Sequence, residues 1–418
     1  MHSRLFFILL AIGIFNTGGF AAGLEDPELI IDSELNRKPP KKSQRQSKKI
    51  KKPKGGWNES TPEQNEWAKT KPVSKTRSEV FKDLSPSEDS FGLSLTETPK
   101  TSLPTFYDVR LYLYDQDPTI DRKNTPAEEL KKLEAQWQQK DYYEKIKFLE
   151  PFWEKLWPVY NQGSISSCVS ISVIGLMAFN HLLKYNQIVS FSGLFIYYNG
   201  RDLDTQEKIE KAKLDGNQAK VDQLTDKPLT SADSGLSVTL GIRSLHKYGV
   251  CPEESFWGYS GVWPYDISKL TIKPNPPQVY DDAYDYAGEP RYLDSDRDFI
   301  KDRIYSATVP KTVGDIKAVL YQQKKPIAFG LYLKDVGAFY NTPKTGIIPK
   351  STLPSEGETV VKKNGHCMVI VGYDDSTRRF TIRNSWGTGW GESGYGYISY
   401  DYVLSAWSGD EHFWTIGE

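Results

Sequence analysis

Gly365-His366-Cys367-Met368-Val369-Ile370-Val371-Gly372-Tyr373-Asp374-Asp375-Ser376, followed by Phe380-Thr381-Ile382-Arg383-Asn384, reads as two β-strands folded back on each other. The first run is apolar and rich in β-branched residues, and Asp374-Asp375-Ser376 supplies the turn chemistry. A hairpin centred on position 375 sets His366 directly opposite Asn384. Directly opposed residues point to one face of a sheet. Asn384 is then placed to hold one imidazole nitrogen and leave the other free to meet a nucleophile, which is how a catalytic base is oriented.

The nucleophile that suits such a base is Cys168. It follows the loop Asn161-Gln162-Gly163-Ser164-Ile165-Ser166-Ser167 and opens an apolar helix running to Tyr185. Unpaired N–H groups and the positive end of the dipole at a helix start favour thiolate over thiol. Gln162, six residues earlier, can join the Cys168 N–H in donating to an oxygen that turns negative during acyl transfer. The chain has only 3 cysteines, Cys168, Cys251 and Cys367. That is no disulfide framework, and Cys251 and Cys367 are expected to stay reduced.

Past the hairpin the chain continues Asn384-Ser385-Trp386-Gly387-Thr388-Gly389-Trp390-Gly391-Glu392-Ser393-Gly394-Tyr395. This string closely resembles the segment around the active-site Asn of papain-like cysteine peptidases. Gly365-His366-Cys367 with the strand after it looks like that family's histidine strand. The resemblance implies an α+β, two-lobed fold, with the nucleophile on a helical lobe, His and Asn on a β-rich lobe, and the cleft between them. It implies Cys168, His366 and Asn384 as the catalytic set, Gln162 in the oxyanion hole, and Trp386 covering the Asn–His bond. It further implies that Ser234, Gly235 and Cys367 line the substrate cleft, since Asp233-Ser234-Gly235 resembles the cleft-side segment. No cofactor or metal belongs to this chemistry. The signature expected around the nucleophile is altered. Ile165-Ser166-Ser167-Cys168-Val169 keeps only Ser167 and Cys168, so an upstream Cys and an aromatic neighbour are missing.

Leu103-Pro104-Thr105-Phe106-Tyr107-Asp108-Val109-Arg110 resembles the family's start of the catalytic domain, which gives a signal peptide at 1–22, a largely flexible pro-region at 23–104 and a catalytic domain at 105–418. Within the last, 117–157 reads as a helical hairpin. Thr125-Pro126-Ala127-Glu128 offers a cap, and Leu130, Leu133 and Trp137 make one apolar stripe. Leu149, Phe152, Trp153 and Leu156 make a second stripe, with Pro151 expected near a helix start. This hairpin joins the domain just before Cys168, and it is the expected plug of the cleft and part of the pro-segment; the alternative is a permanent exosite of the mature enzyme that leaves the cleft open. Residues 201–227 carry dense alternating charge and read as an exposed insertion. Gly235 to Tyr248 reads as helix, and strands are expected at 326–333, 367–373, 380–384 and 394–400.

Arg4 and the short apolar run Leu5 to Phe15, followed by Ala21 and Ala22, form a secretory signal. The chain is therefore expected to be secreted, extracellular or periplasmic. Its net charge of −1 conceals ten Lys or Arg between Arg37 and Gly56, which leaves −11 for the rest. Polypeptide substrates are the expected partners, with the chain's own pro-segment as inhibitor. No nucleic acid or membrane partner is expected, and the protein should be a monomer. Two other classes use the same residues: a silent binding protein on this fold, and an acyl transferase to an amine.

Overall fold

Among the described residues, seven antiparallel strands form one sheet, and the helix that begins at Cys168 packs on it. The computed structural model describes residues 56–71, 103–112, 124–185, 188–254, 261–275, 277, 279–281, 283, 306–349, 352, 358–359, 364–409 and 412–417. The signal segment, the basic run at 41–52 and the start of the expected hairpin, 117–123, lie outside them. Helix α1 spans Pro62–Lys69, and the helical hairpin comprises α2 (Ala127–Gln139) and α3 (Tyr142–Leu156). The helical lobe follows: α4 (Cys168–Tyr185), α5 (Gly193–Leu214), α6 (Gln218–Asp226) and α7 (Val238–Tyr248). The strands are β1 (Phe106–Asp108), β2 (Ser306–Val309), β3 (Ile327–Tyr332), β4 (Gly365–Asp374), β5 (Arg379–Arg383), β6 (Tyr395–Ser399) and β7 (Phe413–Ile416). Their order is β2-β7-β3-β4-β5-β6, with β1 on β4 as well. Because β5 and β1 both pair with residues 372–374, β1 must share the β3 edge of β4. This is the expected α+β architecture.

Helix α4 is buried on nearly every side, through Ile171, Val173, Ile174, Leu176, Phe179 and Leu182. It packs on β4, β3 and α5, so this helix is the spine between the lobes. Helices α5 and α7 are capped by Ser192 and Ser237, whose side chains accept from the N–H groups of Phe195 and Leu240. The 201–227 stretch departs from expectation. Arg201, Leu203, Asp204 and Thr205 are buried inside α5, because that helix begins at Gly193 and carries its apolar face into the charged run.

The hairpin exists, with three differences. The first helix has no side-chain cap at Pro126, whereas Asp141 and Glu144 form a capping box at the second. Pro151 lies inside α3 rather than at its start. It is exposed, so the carbonyl that loses its N–H partner there can turn toward water. Nor does the hairpin cover Cys168. Trp153 stacks on Phe179 at 6.1 Å and meets Trp157 at 6.2 Å. Phe179 lies eleven residues along α4 from Cys168, about 16 Å at 1.5 Å per residue.

Since Trp153 is fully buried in that aromatic stack, Trp153→Ala should lower unfolding stability by about 3–5 kcal/mol. Chemical denaturation of the full chain carrying Cys168→Ser measures it, and a loss below about 1 kcal/mol would mean the hairpin only rests on the surface.

Candidate active site

The loop before α4 and the turn after β5 are tied together first. Gln162 N–H donates to the Ser385 carbonyl at 2.8 Å, and Gly387 N–H to that of Tyr160 at 2.9 Å. The Ser385 hydroxyl donates to Gln162 Oε1 at 2.6 Å. That bond identifies the oxygen end of the Gln162 amide. Its Nε2 therefore lies on the Ile165 side, where it donates to the Ile165 carbonyl at 2.7 Å.

His366 and Asn384 are joined by a 2.7 Å contact between Nε2 and Oδ1. Oδ1 also accepts from Ser385 N–H at 2.8 Å. An amide oxygen cannot donate, so Nε2 must carry the imidazole proton, and Nδ1 presents its lone pair. Among the described residues that buried nitrogen has no hydrogen-bond partner. The Trp386 ring lies 4.6 Å from the imidazole and shields it. The expected backbone register is wrong, however. The ladder pairs Asp374 with Arg379 and Gly372 with Thr381, then slips at a bulge to pair Ile370 with Ile382 and Val369 with Arg383. His366 is thus not directly opposed to Asn384. It lies one step diagonal, on the same face.

Cys168 sits at the first position of α4 with its side chain wholly buried. Burial pushes its thiol up to about 11, although the backbone groups of Cys367 and Gly56 pull the other way. His366 is pulled down to about 4 by burial, which the bond to Asn384 only partly offsets. Both groups are therefore neutral at pH 7. The helix N-terminus that favours thiolate loses here to desolvation.

The cause of that burial is residues 56–71, a stretch expected to be flexible. Leu236 N–H donates to the Gly56 carbonyl at 2.8 Å, Asn58 N–H to that of Leu236 at 3.0 Å, and Trp57 N–H to that of Gly365 at 3.2 Å. Asn58 Nδ2 reaches the Ser234 carbonyl at 3.0 Å. Gly56 lies so close that a Cβ on it would overlap the Ser166 carbonyl. Helix α1 then docks through Gln64, which accepts from the Ser237 hydroxyl at 3.0 Å, and through Trp67, which lies 5.8 Å from Trp414. The signal was present in Thr61-Pro62-Glu63-Gln64. Thr61 and Gln64 form a capping box and Pro62 is the first helical residue. The tryptophans Trp57 and Trp67 flank it in an otherwise polar stretch.

The cleft edge is held by a network the sequence reading missed. Asp233 accepts from Ser166 N–H at 2.9 Å, from the Ser166 hydroxyl at 3.1 Å and from Tyr197 OH at 2.7 Å. Tyr197 OH in turn accepts from Gly235 N–H at 3.0 Å. Buried Arg201 donates to the carbonyls of Tyr197, Leu229, Ala232 and Leu270. This network links the loop before α4 to the Ser234–Gly235 segment. Tyr197 and Arg201 gave no sign of it, because both lie in a helix whose partners are remote in sequence. The structure thus brings Gln162, Cys168, His366, Asn384 and Trp386 into one region, with Ser234, Gly235 and Cys367 along its edges. All three cysteines are unbridged and buried, and Cys367 faces Gly330 across the β3–β4 ladder.

The sequence profile of the papain family cysteine proteases matches residues 251–406. An uncharacterized peptidase C1-like protein of Acanthamoeba polyphaga mimivirus is 30% identical over 259 residues, covering 62% of this chain and 69% of its own. Peptidase 1 of Dermatophagoides pteronyssinus is 32% identical over 97 residues, 23% of this chain and 28% of the mite protein. Among solved structures, xylellain, a cysteine protease from Xylella fastidiosa, aligns over 89% of this chain and 98% of its own at 23% identity, with a TM-score of 0.49. The long match to the viral relative, together with the family profile, decides the matter: this chain belongs to the papain family of cysteine proteases.

Proposed function

We propose that this protease is an exported endopeptidase made as a precursor, with Cys168 as nucleophile and His366 as base. The observation that carries the chemistry is the Nε2–Asn384 bond, which leaves the lone pair of His366 Nδ1 buried and, among the described residues, unbonded. In the open cleft the Cys168 proton passes to Nδ1 and the thiolate attacks a peptide carbonyl. Gln162 Nε2 and the Cys168 N–H donate to the oxyanion. Collapse breaks the C–N bond, and the leaving amine takes the proton from Nδ1. Water, deprotonated by His366, then attacks the thioester and releases the acid with the thiol restored.

In this reading residues 1–22 are the signal, 23–104 are removed on maturation, and 105–418 persist with the 117–157 hairpin retained. Two observations support those boundaries. Residues 56–71 cover Cys168, whereas Phe106–Asp108 is a strand of the sheet itself. Among the described residues no helix is long and apolar enough to cross a membrane. The covered state is chemically silent, because a thiol raised to about 11 is thiolate in only about one chain in 10⁴ at pH 7.

Cys168→Ser should abolish hydrolysis of a peptide substrate by a form beginning near Thr105, and Gln162→Ala should lower its turnover by about 10²–10³-fold. Hydrolysis persisting near the starting rate in the first variant would end the peptidase reading, and an unchanged rate in the second would make Gln162 merely structural. A form beginning near Pro158 should fail to fold, since it lacks β1 and Trp153.

Acid should open the precursor. Burial holds His366 at about 4 in the closed form, against 6.5 ordinarily. Between those values the open form binds more protons, so the closed form loses stability as pH falls from 6.5 toward 4, by at most about 3 kcal/mol. Hydrogen-exchange protection of the Trp57 and Asn58 amides in full-length Cys168→Ser should drop over that range, and the drop should shrink in a chain also carrying His366→Gln. Protection that stays level down to pH 4 with His366 present would refute the coupling.

A further inference from the structure

Ser166 stands two residues before Cys168, in the loop that sets the direction of the Cys168 N–H. Its own N–H donates to one oxygen of the Asp233 carboxylate at 2.9 Å, and its hydroxyl to the other at 3.1 Å. The two residues are 67 apart in sequence, so this is a tie between segments rather than a turn. Tyr197 OH donates to the same carboxylate at 2.7 Å. A phenol has a single proton, so the Gly235 N–H that reaches Tyr197 at 3.0 Å is received on its oxygen. Three donors thus converge on one carboxylate, and hydrogen bonds to an ionised group are about twice as strong as neutral ones.

The segment that carries Asp233 is itself held from within α5. Tyr197 and Arg201 lie four residues apart and share one face of that helix. Both are buried, and the Arg201 guanidinium lies over the Tyr197 ring at 4.1 Å. It donates to the carbonyls of Leu229 and of Ala232, the residue just before Asp233. Arg201 therefore fixes the backbone and Tyr197 the carboxylate. At the other end of the loop, Tyr265 OH donates to the Gln162 carbonyl at 3.1 Å. The Ser167 hydroxyl, 2.5 Å from that phenol, must then donate to it. All three cysteines are unbridged, so no disulfide shares the task.

We propose that Asp233 is a positioning residue for the reaction: its carboxylate holds Ser166 so that the Cys168 N–H stays aimed at the oxygen that turns negative when the thiolate attacks. Asp233 acts through Ser166, not on the substrate. This rests on the peptidase reading above, which it deepens by naming what keeps one oxyanion donor in place.

The test takes as parent the full chain with Trp57→Ala, which removes the buried indole that seats the covering segment. Adding Asp233→Ala should lower kcat for a coumarin peptide at least about tenfold with KM within about twofold, because a small misplacement near the reacting atoms costs rate rather than binding. Two reagents for Cys168 then separate aim from integrity. A peptide aldehyde adds the thiol across its carbonyl: the S–C bond forms, the C=O π bond opens, and the sulfur proton passes to an oxygen lying among the oxyanion donors. Iodoacetamide alkylates the thiolate by displacing iodide and makes no oxyanion. Asp233→Ala should weaken the aldehyde at least about tenfold while alkylation changes less than about threefold. Should that variant prove unstable by thermal melt, Tyr197→Phe, which takes one donor from the carboxylate, should show the same split to a smaller extent. An unchanged kcat, or equal losses with aldehyde and iodoacetamide, overturns the proposal, the second because a loosened fold weakens both. A parent that hydrolyses nothing while the aldehyde still shows the split overturns the peptidase reading and leaves the positioning standing. A parent whose thiol is alkylated yet takes no aldehyde overturns both.

Discussion

A one-residue slip in the β4–β5 ladder, between Ile370 and Gly372, determines what the sheet can offer to Cys168. Beyond the turn, Gly372 faces Thr381. Continued without a slip, that register would bring His366 opposite Gly387, and Asn384 and Trp386 would point to the other face of the sheet. With the slip, Val369 faces Arg383 and the continued register brings His366 opposite Trp386. Asn384 is then the diagonal neighbour on the same face. Because side chains alternate with a period of two, one residue is the smallest change that can make or destroy this arrangement. The 4.6 Å between the His366 and Trp386 rings and the 2.7 Å bond to Asn384 are both its consequences.

One segment bonds to both sides of the candidate site. Residues 56–71 bond to Leu236 and Ser237 on the helical side and to Gly365 on the sheet side, and Trp67 lies against Trp414. They thus close the cleft by spanning it. Closure removes water from Cys168 and His366, and desolvation moves the two groups in opposite directions, the thiol up and the imidazole down. Each shift favours the neutral form, so proton transfer from sulfur to nitrogen becomes unfavourable from both ends. On the proposed reading, the segment keeps the pair neutral without touching the geometry of the His366–Asn384 bond.

Much of this was legible in the sequence. Helix α4 begins at Cys168 as read, and β3, β4, β5 and β6 fall within two residues of the expected strands, because apolar runs and turn residues report local structure directly. The meeting of His366 with Asn384 was legible too, although its register was not. A bulge at Val371 leaves no trace in an unbroken β-branched run, and the expected and observed registers differ by two residues, which preserves the face. What depends on remote partners stayed hidden. Arg201 reads as the start of a charged surface until the carbonyls of Leu229, Ala232 and Leu270 are seen around it. The Thr61-Pro62-Glu63-Gln64 capping signature was readable, but the basic, proline-rich surroundings outweighed it. The aromatic hairpin instead drew the role of plug, on the sound premise that so much apolar surface must dock somewhere near α4.

Where the hairpin does dock explains why it reaches the site without covering it. The chain leaves α3 at Trp157, whose Nε1 donates to the Gly175 carbonyl of α4 at 3.0 Å. The Arg383 guanidinium lies over that indole at 4.4 Å. Arg383 immediately precedes Asn384, and it too is wholly buried, with burial drawing its pKa down. A charge so placed needs acceptors and π-faces that are fixed in position. Trp157 and the Pro158 carbonyl provide both. Gly175 provides the space, since a Cβ there would lie 2.9 Å from Arg383 Nη1. Trp157 therefore binds α4, which presents Cys168, and also the end of β5, which presents Asn384. The aromatic surface on α3 holds that indole in place through Trp153. The end of the hairpin thus ties the helix that begins at Cys168 to the strand that ends just before Asn384.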